Sequence, residues 1–194
     1  MTVLTSHPVR GLKGVARVPG DKAISHRALI LGTLGHGDTV ITGLLECDGV
    51  FKTAKALISM GAAIFPPEDK SNVWRVTGLG GKPLRQPKTA LQLGNSGTSA
   101  RLLMGLVASY PIGAVLTGDE ALSRRPMGRA IKPLAQMGAR FETSTADHLP
   151  LKVVGSAALR PINYQMPIAS AQVKSAILLA ALRAQGQTTI EEPR

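Results

Sequence analysis

Cysteine is nearly absent: Cys47 is the single one among 194 residues. One thiol builds neither an internal disulfide nor a multi-cysteine zinc site, and it suits a reducing compartment. Aromatic residues make up 3% of the chain, too few for the flat platforms on which single-stranded nucleic acid stacks. Acidic residues are scarce beside basic ones, 12 against 23, leaving a formal charge of +11. Long apolar runs are missing as well. Stretches such as Ile177 to Leu182 fall far short of the roughly 20 residues of a membrane span, and Met1 to Arg10 lacks the apolar core of a signal peptide. These absences lead to the expectation of a cytoplasmic protein with no membrane segment. Its 44% hydrophobic content is mostly aliphatic and suffices for the core of at least one domain. The cationic surplus draws anions of any kind. Composition alone leaves nucleic acid, anionic lipid and small phosphorylated substrates open.

What the chain does contain is a repeat. Ser25-His26-Arg27 opens the apolar run Ala28 to Leu34, Ser99-Ala100-Arg101 opens Leu102 to Ala108, and Gln172-Val173-Lys174 opens Ser175 to Leu182, the basic residues lying 74 and then 73 positions apart. Each run reads as a helix that ends near glycine and leads into a β-type segment: Thr39 to Thr42, Ala114 to Thr117 and Thr188 to Ile190. A second helix follows in two copies, Val50 to Met60 and Met127 to Met137, each closed by Met-Gly-Ala. Pro133 is expected to kink the second of these or split off its first turn. Short β-rich pieces come next, Ala63 to Phe65 with Val73 to Thr77, and Arg140 to Glu142 with Leu151 to Val154. The pattern predicts an α/β fold of strand, helix, strand, helix, strand, strand units, two complete and a third that stops early. Such a third unit leaves a sheet edge and an apolar face uncovered, which suits the N-terminal part of something longer. A degenerate terminal cap is the alternative.

The residues before each first helix carry capping side chains: Pro19-Gly20-Asp21-Lys22-Ala23-Ile24-Ser25, Gly94-Asn95-Ser96-Gly97-Thr98-Ser99 and Pro167-Ile168-Ala169-Ser170-Ala171-Gln172. Any one of them is an ordinary helix start. Three turned toward one cleft make an anion site, because a helix N-terminus offers unpaired N–H groups and about half a positive charge. Lys22 and Arg27, placed just before and within one helix, suit solvated surface as well as a ligand. Two glycines around Asn95 let backbone N–H groups come close to a ligand. Arg124-Arg125-Pro126 sets an arginine fork ahead of a helix, fit for a carboxylate or phosphate or simply solvated. The histidines His7, His26, His36 and His148 have no metal-ligand spacing.

These motifs, in order and at proper spacing along the whole chain, resemble the 5-enolpyruvylshikimate-3-phosphate synthase family. The resemblance rests on Pro19 to Leu29, Leu93-Gly94-Asn95-Ser96-Gly97-Thr98, Arg124-Arg125-Pro126-Met127 and Ala169-Ser170-Ala171-Gln172-Val173-Lys174-Ser175, and is greatest to the bacterial branch. It implies an inverse α/β barrel-like enzyme of two lobes, each of three βαβαββ units, in a chain more than twice this long. Residues 1–19 would start in the second lobe and cross over, and residues 20–194 would form the first lobe, with units at about 20–90, 91–160 and 161–194. It further implies transfer of the enolpyruvyl group of phosphoenolpyruvate to the 5-hydroxyl of shikimate 3-phosphate, with no cofactor and no metal. Both substrates are small polyanions, which accounts for the charge without nucleic acid. Lys22 would be catalytic and touch both substrates. Arg27, Ser170, Ala171, Gln172 and the Ala23 position would hold shikimate 3-phosphate; Gly97, Arg125 and Gln172 would grip phosphoenolpyruvate, with Asn95 and Thr98 as further candidates. The acid/base groups would come from the C-terminal lobe, so the chain alone is expected to be inactive.

One departure is Ala23, where the family carries serine. The resemblance further implies a glyphosate-sensitive rather than a tolerant form, since the family position matching Gly97 shapes that response. Two alternatives stand beside this reading: a UDP-N-acetylglucosamine enolpyruvyl transferase relative, in which Cys47 does not occupy an equivalent nucleophile position, and a non-catalytic anion- or nucleic-acid-binding module.

Overall fold

The computed structural model describes residues 3–68, 71–143 and 146–193. Met1, Thr2 and Arg194, which open the expected crossover segment and close the expected third unit, lie outside the described residues. From the N terminus the elements are α1 (Lys22–Leu34), β1 (Asp38–Thr42), α2 (Asp48–Ser59), β2 (Ala63–Phe65), β3 (Val73–Thr77), β4 (Leu91–Gln92), α3 (Gly97–Ala108), β5 (Gly113–Thr117), α4 (Glu120–Ser123), α5 (Gly128–Met137), β6 (Arg140–Thr143), β7 (Leu151–Val154), β8 (Asn163–Gln165), α6 (Ala171–Ala181) and β9 (Thr189–Glu191). The fold is therefore mixed α/β, as the sequence predicts.

The strands form a three-stranded sheet in the order β1-β3-β2, a four-stranded sheet β4-β5-β7-β6 and a pair β8-β9. All ladders are antiparallel except β4 with β5 and β8 with β9. Alternate residues of β3 and β5 are buried, so each of these sheets turns one face to the helices and one outward. The helices fill the interior. α3 is the hub: Leu102, Leu103, Met104, Leu106, Val107 and Ala108 are all fully buried. It crosses α6 at Gly105, where a Cβ would stand 2.1 Å from the Ala176 carbonyl oxygen. Only a residue without a side chain lets the two backbones meet there. α2 packs beside α1 and α3, and α5 beside α3 and α6.

Three expectations need correction. Among the described residues no strand precedes α1: residues 3–20 find no neighbour to ladder with, so the first unit begins at its helix. Pro133 does not split the second helix of the second unit. α5 runs unbroken from Gly128 to Met137, because a proline in its sixth position removes a single donor while the ring itself is buried in the core. Lys22 lies inside α1, as its first residue, because the Asp21 carboxylate caps the helix. α4, a single turn ahead of Arg124, was not anticipated. No helix is long and apolar enough to cross a membrane among the described residues.

Candidate active site

Asp21, Ser96 and Ser170 stop the incoming chain and start α1, α3 and α6. Their side-chain oxygens accept from Ile24 N at 2.7 Å, Ser99 N at 3.1 Å and Val173 N at 3.4 Å. Each cap satisfies one N–H of the first turn and leaves the others to a ligand or to water. Side chains then tie these ends together. Arg27 on α1 donates to Ser175 Oγ on α6 at 2.7 Å. Gln172 on α6 donates to Thr98 Oγ1 on α3 at 3.0 Å, and its Oε1 accepts from Arg101 Nη1 at 3.1 Å. Between α1 and α3 the link runs through α2: His26 Nδ1 lies 2.8 Å from Thr53 Oγ1, which lies 2.7 Å from Ser99 Oγ.

The turn at Gly94 has φ +55, a left-handed backbone natural to glycine. Beyond it Asn95 accepts from Arg125 Nη2 at 2.5 Å. Gly97 is buried under two guanidinium groups; a Cβ there would stand 2.9 Å from Arg101 Nη1 and 3.5 Å from Arg125 Nη1. The arginine fork is thus divided. Arg124 pairs with Glu120 one turn back, whereas Arg125 leans on the glycine turn. Lys22 lies across Gly49, whose missing Cβ would sit 3.3 Å from Lys22 Cε and 3.1 Å from Ser96 Oγ.

Charge here is mostly positive, the Asp48 carboxylate beside Gly94 being paired with Lys52. Among the described residues none of Lys22, Arg27, Arg101, Arg125 and Arg129 pairs with a carboxylate. The Arg101 guanidinium is held below its ordinary value by burial, and further by Arg129 and Arg125. His26, fully buried, is pushed down to about 4 by burial first and then by the charges of Lys22 and Arg27, so at neutral pH it is uncharged. Cations crowded without counter-ions are a standing demand for an anionic ligand.

The structure therefore brings Gly97, Asn95, Thr98, Arg125 and Gln172 into one cluster, with Lys22 reaching it over Gly49. Arg27 joins from the α1–α6 side, one turn from Ser170 and Ala171, whose carbonyl accepts from Ser175 Oγ at 2.7 Å. Ala23 uses its carbonyl to accept from Arg27 Nη1 at 2.9 Å. Sequence reasoning missed Arg101, which binds the Gly97 and Pro126 carbonyls as well as Gln172. The signal was there: Arg101 is the repeat's counterpart of Arg27. It also missed Thr53, a plain helix threonine in the sequence. A cleft of about 600 Å³ lies elsewhere, against the outer face of the four-stranded sheet, and its Lys152 is paired with Glu142 at 3.0 Å. Among the described residues no group of three or more His, Cys, Asp or Glu is arranged to hold a metal ion.

Residues 7–194 match the family model of EPSP synthase (3-phosphoshikimate 1-carboxyvinyltransferase). The 3-phosphoshikimate 1-carboxyvinyltransferase of Novosphingobium aromaticivorans is 54% identical over 182 residues, which are 94% of this chain and 41% of that protein. That of Paramagnetospirillum magneticum is 52% identical over 189 residues, 97% of this chain and 42% of the relative. The solved structure of EPSP synthase from Acinetobacter baumannii superposes with a TM-score of 0.87 at 43% identity, covering 93% of this chain and 40% of its own. The chain spans about two fifths of the length of the curated relatives it matches. It belongs to the EPSP synthase (3-phosphoshikimate 1-carboxyvinyltransferase) family.

Proposed function

We propose that this chain forms the first lobe of an enolpyruvyl transferase and contributes that lobe's half of the site where phosphoenolpyruvate and shikimate 3-phosphate meet. The observation that carries the reading is the cluster of unpaired cations at three convergent helix starts. Two polyanions repel one another in water, and fixed positive groups offset that repulsion while holding the reacting atoms in register. In this reading Gly97, Arg125 and Gln172 hold phosphoenolpyruvate, with Asn95 and Thr98 behind them. Arg27, Ser170, Ala171 and Gln172, with the backbone at Ala23, hold shikimate 3-phosphate, and Lys22 lies between the two.

The 5-hydroxyl of shikimate 3-phosphate then loses its proton as its oxygen bonds to C2 of phosphoenolpyruvate and C3 takes a proton. The tetrahedral adduct then loses phosphate from C2 and one proton from its C3 methyl group to give the enol ether. Lys22 touches both substrates and helps handle the proton and charge at the reacting centre, and the second lobe brings the acid/base groups. No metal or cofactor enters.

The wider architecture goes with this proposal. Residues 20–194 make three units of the βαβαββ kind in an inverse barrel, at about 20–90, 91–160 and 161–194, the first beginning at its helix and the third incomplete, and residues 1–19 start in the second lobe and cross over. The matching orders β1-β3-β2 and β5-β7-β6 support the repeat. So does a groove of about 200 Å³ between α1 and α6, lined by Ile30, Leu31, Leu178, Leu179 and Leu182. Its two counterparts are filled by α2 and α5.

Phosphate release from the two substrates tests the function, first with this chain alone and then with the C-terminal lobe of the Acinetobacter relative added. Turnover only in the mixture is expected. Turnover by the chain alone would refute the division of labour between the lobes, and turnover in neither would remove the transferase reading.

A further inference from the structure

The buried link between α1, α2 and α3 lies behind the cation cluster and touches none of the proposed ligands. His26 has no exposed surface, and its Nε2 is buried without a partner among the described residues. Proton counting orders the chain of contacts. Ser96 Oγ accepts from the Ser99 amide at 3.1 Å and from the Ser99 hydroxyl at 2.7 Å. The Ser99 hydroxyl has the Gly49 carbonyl as a second acceptor at 3.2 Å; with its one proton used on either, Ser99 Oγ accepts from Thr53 at 2.7 Å, a shorter contact than the 3.3 Å from Thr53 to the Gly49 carbonyl. Thr53 in turn has its proton committed and accepts from His26 Nδ1 at 2.8 Å. This direction gives the Ser99 and Thr53 protons acceptors, and in it the neutral imidazole carries its proton on Nδ1. The relay ends at Ser96, the residue that starts α3, directly before Gly97 and beside Gly49, over which Lys22 lies.

We propose that His26, Thr53 and Ser99 form a positioning relay that fixes the Ser96–Gly97 turn against Lys22, and so sets the geometry of the phosphoenolpyruvate side of the site. This rests on the functional reading above. Cap hydrogen bonds tolerate small rotations of a helix end, whereas a one-way chain across three helices holds a single arrangement. An isolated stabilising contact would need no such continuity.

Thr53→Val keeps the shape and removes the hydroxyl, and Thr53→Ser keeps the hydroxyl. In the ligand-free chain, amide exchange at Ser99 should rise about tenfold in Thr53→Val, while exchange at Leu103 and Leu106 stays within about twofold of wild type. Phosphoenolpyruvate, titrated against the Gly97 and Lys22 amide resonances, should bind about fivefold more weakly to Thr53→Val and within about twofold of wild type to Thr53→Ser. Unchanged exchange at Ser99 overturns the relay. So does unchanged affinity in a Thr53→Val chain whose exchange has risen, since the contacts would then serve stability alone. If Thr53→Val does not fold, Ser99→Ala carries the same two readouts. Wild-type chain that shows no phosphoenolpyruvate response counts against the functional reading, and the exchange comparison then decides the relay by itself.

Discussion

Acidifying the solution from about pH 7.5 to about pH 5 should destabilise this chain through one residue, His26. Its imidazole ordinarily takes a proton near 6.5, and in the fold it does so only at about 4, because burial and then Lys22 and Arg27 oppose a further positive charge. As the pH falls below 6.5 the unfolded chain binds that proton and the folded chain does not. The stability His26 contributes is thus complete above about pH 6.5 and is lost as the pH falls toward about 4. The gap between the two values corresponds to about 3 kcal/mol in all, about 2 kcal/mol of it by pH 5. Other groups titrate over the same interval, so the quantity to measure is a difference between proteins. His26→Asn keeps a side-chain donor for Thr53 and cannot be protonated. Urea unfolding followed by the fluorescence of the buried Trp74, at both pH values, should show wild type losing about 2 kcal/mol more than His26→Asn. Lys22→Gln should narrow that difference only in part, since burial is the larger cause. Equal pH dependence in wild type and His26→Asn would refute the reasoning.

Gly105→Ala would bring a methyl carbon to 2.1 Å from the Ala176 carbonyl oxygen, a backbone atom that cannot swing aside; a loss of about 1–3 kcal/mol is expected in urea unfolding. Gly97→Ala meets the ends of two arginine side chains at 2.9 and 3.5 Å, so the chain should fold normally and bind phosphoenolpyruvate about tenfold more weakly by titration, about 1.4 kcal/mol. Ala23→Ser, in the enzyme completed by a C-terminal lobe, should tighten shikimate 3-phosphate by roughly 1.5–3 kcal/mol through one hydrogen bond to a charged group; calorimetric titration giving equal affinities would remove position 23 from recognition.

Much of the fold could be read from the residues because its determinants are local. Asp21, Ser96 and Ser170 cap helices by reaching residues three positions ahead, and Gly138 ends α5 with φ +112. Hydrophobic period and turn chemistry therefore located most helices and strands. Departures came where a neighbour in space decides. Residues 3–20 form no strand because a strand exists only beside another. Pro133 does not split α5, in which it lies buried and removes one donor.

The sequence by itself determined the helix starts, the strand segments, the surplus of cations and the motifs that join this chain to its family. Each depends on residue identity and short spacing. Tertiary structure alone decided which cations face one another, since Arg27 meets Ser175 across 148 residues and Gln172 meets Thr98 across 74. It also decided that Arg125 leans on the glycine turn at Asn95, that Arg101 belongs to the cluster, and that His26 is buried and neutral. Electrostatics and burial depend on distance through space, and no spacing along a chain fixes that distance before the helices pack.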